Sequence, residues 1–205
     1  MQAFSPSGAA RAPQRFHPLM IGMHWLTLAL LLAVYVLIEF RGVFPKGSVG
    51  RDTMRLWHEM LGLTVLGLVF VRLALRAVLP APEPLVAPRW QQRFARLMHV
   101  ALYVFLIATP LLGWLMLSAK GKAVPWFGFD LPSLVGPDRA LGRRFESMHE
   151  AIATLGYLLI GVHAAAAIGH HYLLRDDTLR RMLPWRRLDA PSKAPLVTEN
   201  GHEPA

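Results

Sequence analysis

The chain has 205 residues, of which 54% are hydrophobic and only 17% charged, with a positive mean hydropathy; a soluble domain of this size carries more charge, so the balance belongs to a membrane protein. It has no cysteine, which excludes thiolate-held iron–sulfur clusters, zinc ribbons, disulfides and thiol catalysis, and leaves nitrogen or oxygen as donors for any metal. The formal charge of +9 does not indicate nucleic acid, because the basic residues lie between long apolar runs and not along one basic helix with interleaved aromatics; a membrane surface or an anionic substrate fits better.

Residues 1–18, "MQAFSPSGAARAPQRFHP", predict a disordered cytoplasmic start and not a cleaved signal, since the apolar run that follows is too long for a signal core. Four segments reach the roughly 20 residues that cross about 30 Å of hydrocarbon. The first, 19–40, carries no formal charge until Glu39. The second, 56–79, has Glu59 near its start and Arg72 and Arg76 near its end, where long stems are expected to snorkel to the interface. The third, 97–119, holds Pro110, predicted to kink it, and Gly113, which allows close approach. The fourth, 149–174, has no acid or fixed base between Glu150 and Arg175. Pro-rich "LPAPEPLVAP" predicts a stiff connection, 120–146 a loop rich in Gly and Pro, and 185–205 a disordered cytoplasmic tail. The expected architecture is all-α, an integral membrane four-helix bundle over 19–184. A weak internal echo pairs "WHEMLG" on the second span with "MHEAIATLG" on the fourth.

Four spans put both termini on one side. Basic residues flanking the spans on that side outnumber those opposite, so the positive-inside rule predicts cytoplasmic termini. The opposite side is nevertheless basic too, with Arg41, Lys120 and Lys122 among its charges.

Within these spans the histidines carry the chemistry. His149 and His163 are fourteen residues apart, hence about 21 Å apart along a helix and within roughly 40° of one face. His58 opens the second span at the depth of His149, and His24 lies just inside the first span at the depth of His163. A single membrane histidine more often hydrogen-bonds a neighbouring helix. Four at paired depths predict two bis-imidazole haem sites stacked in the bundle, where neutral ring nitrogen ligates iron and the macrocycle fills the apolar centre. Gly62, Gly156 and Gly161 are candidates for leaving room beside a flat porphyrin, although glycine is also common in membrane helices. His99 competes for the inner site. His170 and His171, near Arg175, are either interfacial anchors or contacts to a quinone or to haem propionates, and His17 and His202 are expected to be solvated. "HEMLG" and "HEAIA" lack the second histidine of a zinc helix, and there is no Walker loop, dinucleotide fingerprint or serine elbow. The chemistry belongs to a cofactor.

"HW" at His24, "EFRGVFP" from Glu39 to Pro45, the histidine opening the second span, "MHVALYVFLIATPLLG", "PWFGF" and "GYLLIGVHAAAAIGHHYLLRDDTLRRMLP" together resemble the bacterial di-haem cytochrome b561 family over roughly Arg15 to Pro184. The extra amino-terminal residues and the tail beyond Leu188 depart from the pattern. The resemblance implies axial haem ligands at His24, His58, His149 and His163, two haem b, a multi-pass protein of the bacterial inner membrane, and oxidation of superoxide to dioxygen at the periplasmic side with ubiquinone as acceptor. Arg41, Lys120 and Lys122 are then candidates for steering superoxide, or else for binding lipid headgroups. The alternatives are a quinone-linked electron-transfer subunit for a partner dehydrogenase or hydrogenase, and a non-redox scaffold whose histidines only join helices.

Overall fold

The computed structural model of the chain describes residues 15–85 and 87–184; the expected disordered start up to residue 14, the tail from residue 185 and His202 lie outside them. Four long helices dominate: α1 (Pro18–Glu39), α2 (Val49–Val78), α3 (Arg89–Ala119) and α4 (Arg139–Tyr172). A 3-10 turn, Phe40–Val43, follows α1, a hairpin of β1 (Val124–Trp126) and β2 (Phe129–Leu131) lies between α3 and α4, and a second 3-10 turn, Arg180–Met182, closes the described chain.

Local chemistry sets the helix starts. His17, expected to be solvated, caps α1: its Nδ1 accepts the Leu19 N–H at 3.2 Å, with Pro18 at the first helical position. Ser48 Oγ accepts from the Arg51 N–H at 3.4 Å at the start of α2, and Asp138 accepts from Leu141 at 3.0 Å and Ala140 at 2.8 Å at the start of α4. Those Leu141 and Ala140 N–H groups hold the Asp138 carboxyl below the usual carboxylate range. Starting at such caps, α2 and α4 begin well before their apolar runs, and α3 does likewise at Arg89 after Pro88. α3 continues through Pro110 without interruption.

The segment expected to be a loop over 120–146 is therefore partly ordered into the hairpin and the first turns of α4. Phe127 and Gly128, the two residues between the strands, have φ of 44° and 89°, and two successive positive values are what a tight two-residue hairpin turn requires. The hairpin lies on α2, with Trp126 Nε1 donating to Thr64 Oγ1 at 3.2 Å and the Phe127 N–H reaching Met60 Sδ at 3.4 Å.

α1 packs along α2, α3 along α4, and α2 against α3, while α4 scarcely approaches the backbones of α1 and α2. The buried core is small, with Val65 and Val69 of α2 against Phe105 and Leu106 of α3. Each helix turns large apolar side chains outward: Leu32 is 65% exposed, Phe70 55%, Val104 59% and Leu158 62%. Water would penalise that surface at about 25 cal/mol per Å², whereas hydrocarbon does not, and all four helices are long and apolar enough to cross a bilayer. Between the two ends, α4 closes on the rest at Gly156. A Cβ there would lie 2.4 Å from Phe105 Cε2 and from Tyr35 Oη, and one turn earlier the Tyr35 hydroxyl donates to the Ala153 carbonyl at 2.7 Å. Gly156 thus lets α4 approach α1 and α3 closely.

The bundle has two ends. The hairpin end holds the α1–α2 turn, the β-hairpin and the start of α4. The terminal end holds the start of α1, the α2–α3 connection and the residues after α4. At the terminal end those last residues fold back: Trp25 Nε1 donates to the Met182 carbonyl at 2.8 Å, Arg181 to the Glu83 carbonyl at 2.6 Å, and Arg15 to the Leu183 carbonyl.

Candidate functional site

At the hairpin end, His58 from α2 faces His149 from α4, with ring centroids 6.2 Å apart. Each ring is oriented by a main-chain carbonyl of another helix: His58 Nδ1 donates to Val34 O at 3.0 Å, and His149 Nδ1 to Thr109 O at 2.8 Å. A carbonyl only accepts, so the proton sits on Nδ1 and Nε2 keeps its lone pair, the arrangement found around metal-binding imidazoles. The His149 ring packs over Gly113, where a Cβ would lie in contact with it, 3.4 Å from Nδ1 and Cε1. The two rings border a cavity of about 520 Å³ that also touches Tyr35, Glu39, Gly62 and Phe105.

At the terminal end, His24 from α1 faces His163 from α4 with ring centroids 6.3 Å apart. The His99 ring lies 5.6 Å from that of His163, yet His99 is exposed and its Nδ1 donates to its own helix at Ala95 O, 2.7 Å away. Arg72, expected to snorkel outward, instead turns inward and donates from Nη1 to His24 Nδ1 at 3.3 Å. Its neighbour one turn on, Arg76, is exposed.

Both pairs have the spacing that an iron held between two imidazoles would need. Two metal–imidazole bonds of about 2 Å, each with about 1.1 Å from nitrogen to ring centre, need centroids about 6 Å apart. The rings of each pair face one another across the gap between α4 and the α1 and α2 backbones, which the Tyr35 hydroxyl spans by donating to Ala153 O and the Tyr157 hydroxyl by donating to Glu39. A Cβ added at Gly62 or Gly161 would meet nothing within 4 Å, which leaves open space beside each pair.

Arg41, Lys120 and Lys122 are brought together at the hairpin end around a second cavity of about 300 Å³ that His58 and His149 also line. Its charge is mixed. Lys120 Nζ is held by Glu146 Oε1 at 2.7 Å and Arg55 by Glu59 at 3.6 Å, while Arg41 and Lys122 have no ion pair among the described residues. Arg55, Glu59, Glu146 and Glu150 line the same space and were not singled out from the sequence. The repeated His-Glu dipeptide of the internal echo, His58-Glu59 and His149-Glu150, carried that signal for two of them. At the terminal end, His170 Nδ1 lies 2.5 Å from Asp176 Oδ2, and His171 stacks edge-on to Tyr172 with centroids 4.8 Å apart. Burial acts to raise the Asp176 carboxyl, but the hydrogen bonds from His170 and Thr178 outweigh it and hold the group below its ordinary value.

The sequence profile of prokaryotic cytochrome b561 matches residues 15–185. The chain is 38% identical to cytochrome b561 homolog 1 of Escherichia coli (strain K12) over 179 residues, covering 84% of this chain and 99% of that one. It is 32% identical to the probable superoxide oxidase CybB of Yersinia pestis over 177 residues, covering 85% and 98%. With cytochrome b561 homolog 2 of Escherichia coli (strain K12) the identity is 28% over 173 residues, covering 83% and 92%.

Proposed function

The chain belongs to the prokaryotic cytochrome b561 family, helical membrane proteins of electron transfer that carry b-type haem, and from that premise we propose that it holds two haems and passes electrons from superoxide to ubiquinone. His58 and His149 hold one haem, and His24 and His163 the other. The observation that carries this reading is the pair of inter-ring separations, 6.2 and 6.3 Å, at two levels of one bundle. Bound haem supplies one-electron storage at each level. The chemistry balances: two superoxide anions each lose one electron and leave as dioxygen, and one quinone takes two electrons and two protons to become quinol.

The protein's part is to bind, orient and attract. Val34 and Thr109 carbonyls fix the hairpin-end imidazoles in the ligating tautomer. Arg41 and Lys122 draw an anion toward that end, an effect that salt weakens, and Lys120 contributes less because Glu146 neutralises it. The hairpin end faces the periplasm and both termini the cytoplasm, in keeping with the distribution of basic residues. The terminal end offers His170, hydrogen-bonded to Asp176, as a proton-carrying contact for a quinone headgroup. The name of the Yersinia pestis relative supports superoxide as donor. The test is anaerobic addition of superoxide to the purified protein while the haem α-band is followed, then addition of ubiquinone. The expected result is reduction by superoxide and reoxidation by the quinone; reduction by ubiquinol alone, with no response to superoxide, would overturn superoxide as the donor.

A further inference from the structure

Arg72 has no part in that electron path, yet its guanidinium hydrogen-bonds a member of a histidine pair. It follows His58 on α2 by the same fourteen residues that separate His149 from His163 on α4, so it lies about 21 Å farther along its helix and within roughly 40° of the face that His58 presents. Arg72 therefore holds, on α2, the position that His163 holds on α4, while α1 supplies the opposing imidazole, His24. Its Nη1 contacts His24 Nδ1 at 3.3 Å, its Nε is buried without a hydrogen-bond partner, and no carboxylate pairs with it among the described residues. A cation inside a span is costly and persists where it has an anionic partner or a function. By donating to Nδ1, the guanidinium also leaves the His24 proton on Nε2, opposite to the tautomer that ligation needs, so a haem-loaded site requires another acceptor for Arg72.

We infer that Arg72 is the fixed positive charge of the terminal-end haem site, donating to the anionic carboxylate edge of that haem and favouring its reduced state. A cation beside an iron centre stabilises the form with one more electron, so electrons settle at the terminal end more than they would beside a neutral residue. The inference rests on the two-haem reading, which the haem-to-protein ratio of the wild-type chain checks separately; a ratio near one defeats that reading whatever Arg72 does.

The test is a spectroelectrochemical titration of Arg72→Gln and Arg72→Lys, repeated in a His149→Ala background that leaves only the terminal-end haem. In Arg72→Gln the midpoint potential of that haem falls, shifting the electron-sharing equilibrium between the two haems at least tenfold, about 59 mV for a one-electron couple. Arg72→Lys retains most of the wild-type potential. Two haems with both potentials unchanged in Arg72→Gln would overturn the inference. If Arg72→Gln fails to load the terminal-end haem, Arg72→Lys decides: loading with a near-native potential supports a role for charge, and failure like that of the glutamine variant overturns it.

Discussion

The two ends of the bundle reach the same inter-ring separation by different means. At the hairpin end the imidazoles are oriented by main-chain carbonyls, Val34 O on α1 and Thr109 O on α3, so their geometry follows from helix placement alone. At the terminal end the surroundings are side chains: Arg72 on His24 and the His99 ring beside His163. Backbone support cannot be removed by substitution, whereas side-chain support can be tuned. The first arrangement suits a site that must keep one geometry, and the second suits one whose electrostatics are adjusted. Between them, Phe105 and Tyr35 stand close against Gly156, where a Cβ would not fit.

The strongest way to break the comparison is at the ligands. His58→Ala or His149→Ala is expected to lower the haem-to-protein ratio from two to one and leave the terminal-end haem, and His24→Ala or His163→Ala to do the reverse, read by pyridine haemochrome assay. Retention of both haems with an unchanged low-spin spectrum in any of the four rejects that residue as a ligand. Next in size is the close approach at Gly156. Gly156→Ala forces a methyl group into the Phe105 ring and the Tyr35 hydroxyl and is expected to cost about 1–3 kcal/mol, seen as a lower thermal midpoint in detergent and partly recovered by adding Phe105→Ala.

Smaller effects separate the two ends further. Replacing Arg41 and Lys122 together by Gln should slow the second-order reaction with superoxide by roughly tenfold at low salt and flatten its ionic-strength dependence, while Lys120→Gln alone changes it less. The same rate in the double variant at every salt concentration would reject steering. The turn after α4 depends on Asp176, whose folded-state pKa lies below the ordinary carboxylate value of about 3.9. Its contribution is present above that ordinary value and lost as pH falls through the lower folded one. Amide exchange over 173–183 should therefore stay slow until strongly acid pH, and Asp176→Asn should remove that step. The smallest expected effect is at His99: His99→Ala keeps both haems, and loss of the terminal-end haem would move the ligand role to α3.

Much of this was legible because membrane helices have a strict length and histidine a strict depth. Four apolar runs gave four helices, and a fourteen-residue spacing was enough to predict that His58 would meet His149 and His24 would meet His163. Helix starts were less legible, because α2 and α4 begin at the polar caps Ser48 and Asp138 and not where hydropathy rises. Arg72 was misread because an arginine near the end of a span can reach either the interface or the interior, and only its register with His58 distinguishes them. Three glycines near the histidines looked alike, yet Gly62 and Gly161 border open space while Gly156 is pressed by an aromatic ring; that difference depends on which neighbour lies opposite, which a single chain's order does not encode.

The stand-off of α4 from α1 and α2 bears on how the protein is made. α1 with α2 and α3 with α4 are two antiparallel helix pairs, each extensively packed within itself, so each can enter the bilayer as a unit before the two associate. With haem held between the histidine pairs as proposed, cofactor delivery becomes the late event of biogenesis, a clasp fastened between leaves already inserted. A cell short of porphyrin would then accumulate an inserted precursor whose α4 is joined to α1 by the Tyr35–Ala153 and Tyr157–Glu39 hydrogen bonds and not by the clasp.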